Sequence, residues 1–390
     1  MWIEGKVFLS EGNIEEACIS FDRTIKEIRK TCKPDVTAPS DAIILPASID
    51  MHVHVRDSQL AYKETVKTAS SEAAYGGVGL LVDMPNTVPP VNTPQRIVER
   101  LREFQNFSRV DYGIYAGVGK EIKEMEKYPI AGFKIYPQDL DKEEVYQVLE
   151  SSKLKVLHPE LPWAERLADR RLRDVWLELS AVELIKDYKR IHITHATSLE
   201  TIMLAKKYNF TVDLTPHHLL VNGETDCLTK VNPPIRGYTE REGLLKGLFY
   251  VDTVVSDHAP HSNQEKSWCY ELCPPGIAAV SFTTPFIYTL VKKGILDFRT
   301  AVRLLAENPA RILGVDYGKI DVGYGANFLI LRFQEWRYHT QYSKVTQTPL
   351  DNYLLSAKPY MLIVEGKVAM LEDEVFPIRG VNTFDQNRRA

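Results

Sequence analysis

The sequence predicts an α/β fold built on a (β/α)8 barrel, with a small sheet domain assembled from the two ends of the chain. Three observations predict it. Short apolar runs alternate with amphipathic, charge-rich stretches eight times between residues 42 and 260, which is the pattern of parallel strands joined by helices. Residues 1–45 and those beyond about 320 read instead as short strands and turns. Histidines gather at the C-terminal ends of the predicted strands, the end at which a barrel carries its active site. An open, doubly wound sheet uses the same alternation and is the alternative architecture.

In chain order, "KVFLS" and "ACISF" flank "EGN" and read as a hairpin. The eight strand-like runs follow: "AIILPASIDMHVH", "GVGLLVDMP", "VDYGIYAGV", "AGFKIYP", "LKVLHPE", "RIHITHA", "FTVDLTP" and "TVVSDHAP". Between them "KETVKTASSEAAYGG", "TPQRIVERLREFQ" and "SLETIMLAKKYN" place charge at helical spacing. Helical stretches "PFIYTLVKKG" and "FRTAVRLLAENPARILG" come next, then strand-like "ANFLILRF" and "PYMLIVEGKVAML". The end, "NTFDQNRRA", is polar and is expected to be loose.

Composition excludes several functions. The chain has 390 residues, 44% apolar, and a net charge of -4, so no basic excess points to nucleic acid and no polybasic block to a membrane surface. No apolar run approaches the roughly 18 residues that a spanning helix needs, and the start lacks a signal-like apolar core. The expected partner is a small molecule. The five cysteines, Cys18, Cys32, Cys227, Cys269 and Cys273, are an odd and sparse set, read as reduced thiols of a cytoplasmic protein. One C-x3-C pair, Cys269 and Cys273, falls short of a metal knuckle.

The histidines carry the chemistry. Nine of the ten lie between residues 52 and 261. His52 and His54 are i and i+2 on the first strand, so both point to one side. His158 ends the fifth strand and His195 the sixth. His217 and His218 follow the seventh, and Asp257, His258 and His261 the eighth. A single buried histidine is ordinarily a hydrogen-bonded core residue; strand ends that carry His or Asp together make a metal site. His192 falls on the opposite strand face from His195 and reads as structural. Lys134, on the fourth strand, has two readings. It points outward into a surface ion pair, or it is a lysine converted by CO2 to an anionic carbamate that ligates metal.

Together these segments resemble the cyclic amidohydrolases of the amidohydrolase superfamily, and within it the dihydroorotases. "HVHVR", "DMPNT", "GFK", "VLHPE", "ITHATS", "TPHHL", "KVNPPIR", "SDHAPH", "ENPARILG" and "VEGKV" stand in the family's order over nearly the whole chain. The resemblance implies a distorted TIM barrel over residues 46–319, a small β-sandwich from 1–45 plus 320–380, and a polar tail at 381–390. It implies zinc, two ions per subunit: His52, His54 and Asp257 on the buried one, His158 and His195 on the other, and carbamylated Lys134 between them. It assigns Arg56, Asn86 and His261 to a substrate carboxylate and places Asn232 at the substrate. The bland alternative for Arg56 is an ion pair with Asp57 or Glu64. Ala47, Asp57, Asp213 and Asn327 depart from the family's usual residues, and the stretch 160–183 is short and lacks the usual Arg-Pro.

The implied reaction is the reversible cyclisation of N-carbamoyl-L-aspartate to L-dihydroorotate and water in pyrimidine synthesis, by metal-activated hydroxide with Asp257 as general acid/base. Dihydropyrimidinase, hydantoinase and allantoinase are the enzymatic alternatives; a non-catalytic barrel scaffold is the alternative of another class. A homodimer and association with aspartate transcarbamoylase complete the expected partners.

Overall fold

The computed structural model describes residues 1–167 and 169–385. Eight parallel strands follow one another around a barrel: β1 (Ser48–Val53), β2 (Val78–Asp83), β3 (Asp111–Ala116), β4 (Gly132–Ile135), β5 (Leu154–Leu157), β6 (Ile191–Ile193), β7 (Thr211–Leu214) and β8 (Thr253–Val254). Nearly every residue in them is buried, as expected for strands packed on both faces. The wall closes between β8 and β1. Val53 bridges His258 in parallel, and His54 N–H donates to the His258 carbonyl at 2.8 Å. Below that bridge, buried Asp50 accepts from His52 N–H (3.1 Å) and from Ser256 N–H (3.2 Å), stapling the two strand ends. Burial pushes its carboxyl up to about 7. This closure rules out the open sheet.

The helices start where the sequence supplies caps. Thr65, Thr93 and Ser198 each accept a backbone N–H from the first turn of Val66–Tyr75, Pro94–Phe107 and Leu199–Lys207. Each such cap stabilises its helix by about 1 kcal/mol.

The first apolar run is two elements rather than one. Ala42–Pro46 pairs antiparallel with Phe328–Arg332, while Ser48–Val53 enters the barrel. Ala47 marks the switch, its N–H bonded to the Asn327 carbonyl at 3.1 Å. The terminal sheet joins Trp2–Phe8, Ile14–Phe21 and Ile25–Arg29 to Phe328–Arg332, Lys358–Val364 and Lys367–Leu371 through Ala42–Pro46. Its period-2 alternation serves two cores. Ile44, Phe328 and Ile330 face a core of their own with Ile3, Phe21 and Ile363. Leu45, Leu329 and Leu331 face the barrel's core.

Two expectations need correction, the redox state of the cysteines and the looseness of the chain end. The cysteines are not all reduced: Cys18 pairs with Cys32 and Cys227 with Cys273, leaving Cys269 exposed and free. The compartment argument drawn from them falls with that. Cys273 belongs to a disulfide and not to a C-x3-C knuckle. The chain end is not loose as far as Asp385. Val381 N–H donates to Asp111 Oδ1 at 3.0 Å, and the Phe384 ring covers Gly113, where a Cβ would lie 2.2 Å from it. The rest of the expected tail, 386–390, lies outside the described residues. Among the described residues no helix is long and apolar enough to cross a membrane.

Candidate active site

At the C-terminal rim of the barrel lies a cavity of about 280 Å³. Its walls include the ten residues that the resemblance assigns to metal and substrate, His52, His54, Arg56, Asn86, Lys134, His158, His195, Asn232, Asp257 and His261, but not His217, His218 or His258 of the strand-end cluster. Five non-glycine residues around it, Arg56, Asp57, Ser58, His195 and Asp257, have positive φ. Such backbone costs roughly 1–3 kcal/mol per residue and is characteristic of functional sites.

One side is a set of nitrogen and oxygen ligands. His52 Nε2 and His54 Nε2 are 3.2 Å apart, and Asp257 Oδ1 lies 3.3 and 3.1 Å from them. The outer nitrogen of each ring is committed. His54 Nδ1–H donates to Asn86 Oδ1 at 2.6 Å. Thr194 Oγ1 gives its proton to Asp213 Oδ2 (3.0 Å) and therefore accepts from His52 Nδ1–H (2.6 Å). Both Nε2 lone pairs are thus turned on Asp257, the tautomer that metal ligation requires. Burial lowers both imidazoles and keeps them neutral, despite the nearby Asp257.

His52, His195 and Asp257 bring one ligand atom each within 4.8 Å of one another. His195 Nδ1 is buried without a hydrogen-bond partner. His158 stands beside His195, ring centroids 4.5 Å apart, and donates its Nε2–H to Glu160 Oε2 at 2.6 Å, leaving Nδ1 free. Lys134 is fully buried and its Nζ has no partner, so the surface ion pair is excluded. Burial lowers its amine to about 7, and the neutral amine is the form that reacts with CO2. Orphaned buried nitrogens are costly unless something binds them. This donor set fits divalent metal.

The other side is cationic. Arg56 is buried and makes no ion pair among the described residues. Its Nε donates to the Pro260 carbonyl (3.2 Å) and its Nη2 to His261 Nε2 (3.2 Å). Asp57 instead accepts from Val66 N–H at 2.8 Å, and Glu64 faces His258 at 3.6 Å, so neither pairs with Arg56. Burial, then Arg56 and Lys63, hold the His261 imidazole well below its ordinary value. Gly276 closes this wall: at φ +147°, a Cβ there would meet the Ala259 carbonyl at 2.2 Å and His261 at 3.0 Å. The guanidinium therefore faces the cavity with no carboxylate of its own, a receptor for one from outside.

His192 lies outside the cavity, bonded to Thr211 Oγ1 and Asp213 Oδ2 at 2.8 and 2.7 Å, in the structural role expected of it. Several supporting residues escaped the sequence reading. Thr194 and Asp213 orient His52, and Asp213 also takes the His195 N–H. Tyr136 brings a buried hydroxyl without a partner to the cavity wall. Glu160, at i+2 from His158, repeats the spacing of His52 and His54 and could have been found by it.

The amidohydrolase family model matches residues 43–369. A dihydroorotase from Sulfurisphaera tokodaii is 59% identical over 390 residues, covering 100% of this chain and 99% of that protein. A dihydroorotase from Sulfolobus acidocaldarius is 58% identical over 392 residues, covering 100% of both. Among solved structures, L-hydantoinase (dihydropyrimidinase) from Arthrobacter aurescens superposes with a TM-score of 0.87 at 23% identity, covering 96% of this chain and 97% of that one. That likeness shows a shared fold.

Proposed function

The chain belongs to the amidohydrolase family, and from that premise we propose that it is a dihydroorotase, closing N-carbamoyl-L-aspartate to L-dihydroorotate and water and opening the ring again. Highly identical dihydroorotases spanning the whole chain support this. The observation that carries it is Arg56, buried at the cavity wall beside His261 with no anion of its own. A neutral cyclic ureide, the substrate class of hydantoinases, would leave that guanidinium desolvated and unpaired.

In this reading zinc would be the metal, two ions per subunit, which His52, His54, Asp257, His158 and His195 would hold, with Lys134, once carbamylated, adding an anionic ligand. Zinc so held supplies an activated water and a polarised ring amide. The chain's own residues do the rest. Arg56 and His261 grip the ring carboxylate, helped by the amide groups of Asn86 and Asn232. Asp257 takes the proton of the attacking water and delivers it to the ring nitrogen as the C–N bond breaks. Closure reverses each transfer. The open form carries one more carboxylate than the ring, so closure consumes a proton and acid favours the ring.

The test is ring opening of L-dihydroorotate by wild type and Arg56→Ala, with zinc measured on the same samples. Activity in wild type, lost in the variant with zinc retained, is the expected result. Zinc without turnover of dihydroorotate, alongside turnover of dihydrouracil or allantoin, would give the site to a neutral ring.

A further inference from the structure

We propose that Arg173 is a positioning residue that couples the metal side of the cavity to its substrate side. It lies in the stretch where the sequence departs from its family, just before the helix Val175–Leu184, and is 2% exposed. Its guanidinium is divided between two partners. Nε donates to Glu160 Oε1 at 3.0 Å and Nη2 to Glu160 Oε2, gripping the carboxylate with both arms. The remaining Nη1 donates to Asn232 Oδ1 at 2.8 Å.

Each partner reaches the cavity. Glu160 is itself fully buried, and its Oε2 accepts the Nε2–H of His158. Arg173 fixes that carboxylate and so fixes which His158 nitrogen, Nδ1, is left for the cavity. At the other end, Asn232 Oδ1 is claimed by Arg173 and by Arg170 Nη1 (2.9 Å). Its amide N–H groups are therefore the end free to meet a ligand, which makes Asn232 a donor to a substrate oxygen. A lysine could not replace Arg173, because a point charge cannot hold a carboxylate in two places and an amide oxygen in a third. Arg170 shares the Asn232 contact, but its other arms go to Glu224. The two arginines thus separate the functions.

The substrate arm rests on the proposed dihydroorotase activity; the metal arm does not. The experiment compares wild type with Arg173→Met, Arg173→Lys, Arg170→Met and Glu160→Gln. Zinc release to a chelator and KM and kcat for L-dihydroorotate are measured on each. Glu160→Gln is expected to release zinc at least tenfold more readily, the scale for a ligand's supporting partner, with KM little changed. Arg170→Met is expected to raise KM about tenfold, the scale of one charge-assisted hydrogen bond, with zinc retained. Arg173→Met is expected to show both defects, and Arg173→Lys to rescue neither. Wild-type zinc release in Arg173→Met, or in Glu160→Gln should Arg173→Met fail to fold, would overturn the proposal. So would a KM in Arg173→Met that matches wild type. Wild type that holds zinc without turning over dihydroorotate would sink the functional reading alone, since zinc release still tests Arg173.

Discussion

The two disulfides make different demands on the molecule and should fail differently. Cys18–Cys32 closes 14 residues inside the terminal sheet, and Cys227–Cys273 closes 46. In the chain-entropy treatment, a loop of 14 residues is worth about 3 kcal/mol at 25 °C and one of 46 about 4. Position matters more than this difference. Cys227 precedes Asn232 by five residues, and Cys273 precedes Gly276 by three. The second bridge therefore ties the loop after β7 to the loop after β8, each of which supplies a cavity residue, Asn232 and Gly276, whereas the first touches no cavity residue. Cys18→Ala/Cys32→Ala is expected to lose about 3 kcal/mol in urea unfolding with KM for dihydroorotate unchanged. Cys227→Ala/Cys273→Ala is expected to lose about 4 kcal/mol and to raise KM. A wild-type KM in the second variant would refute the claim that the bridge holds the substrate wall. A loss under 1 kcal/mol in both would mean that the bridges do not constrain the unfolded chain.

Asp257→Asn should lower kcat by about 10²–10⁴, the scale of a general base, when compared with wild type in samples reconstituted to full zinc; near-normal turnover in a zinc-replete variant would remove Asp257 from proton transfer. Thr194→Val deprives His52 Nδ1 of its acceptor and should weaken zinc by about 10–100-fold in a competition assay. Asp50, raised from 3.8 to about 7, binds its proton more tightly folded than unfolded. Its contribution to stability is present below 3.8 and is lost as pH rises through about 7. Melting of chelator-stripped protein should accordingly lose that slope in Asp50→Asn, and an unchanged slope would assign the titration elsewhere.

Much of this was legible in the sequence, for physical reasons. Strands buried on both faces read as unbroken apolar runs, and His52 and His54 at i and i+2 announce a shared side. The division of residues 42–54 into two strands was not legible, because the partner that captures Ala42–Pro46 lies nearly 290 residues away. Glu72 lies in a run whose charges fall at helical spacing, and nothing in that spacing shows that it is buried and takes the N–H groups of Gln341, Tyr342 and Ser343. The disulfides were hidden because pairing across 46 residues is a matter of tertiary distance alone. Asn86 was read only as a substrate contact; that its oxygen also fixes the His54 tautomer depends on a strand neighbour that spacing cannot reveal.

The seam between β1 and β8 has a mechanical consequence. Few backbone hydrogen bonds cross it, and His52 and His54 stand on one bank with Asp257 on the other. An ion gripped by all three would act as a keystone, bearing load across the weakest course of the wall. Loading the cofactor and shutting the ring would then be one event, and amide exchange at His54 should slow when metal is added. The catalyst's electrophile would double as its rivet, so a chain that lost its metal would lose rigidity in the same place as reactivity.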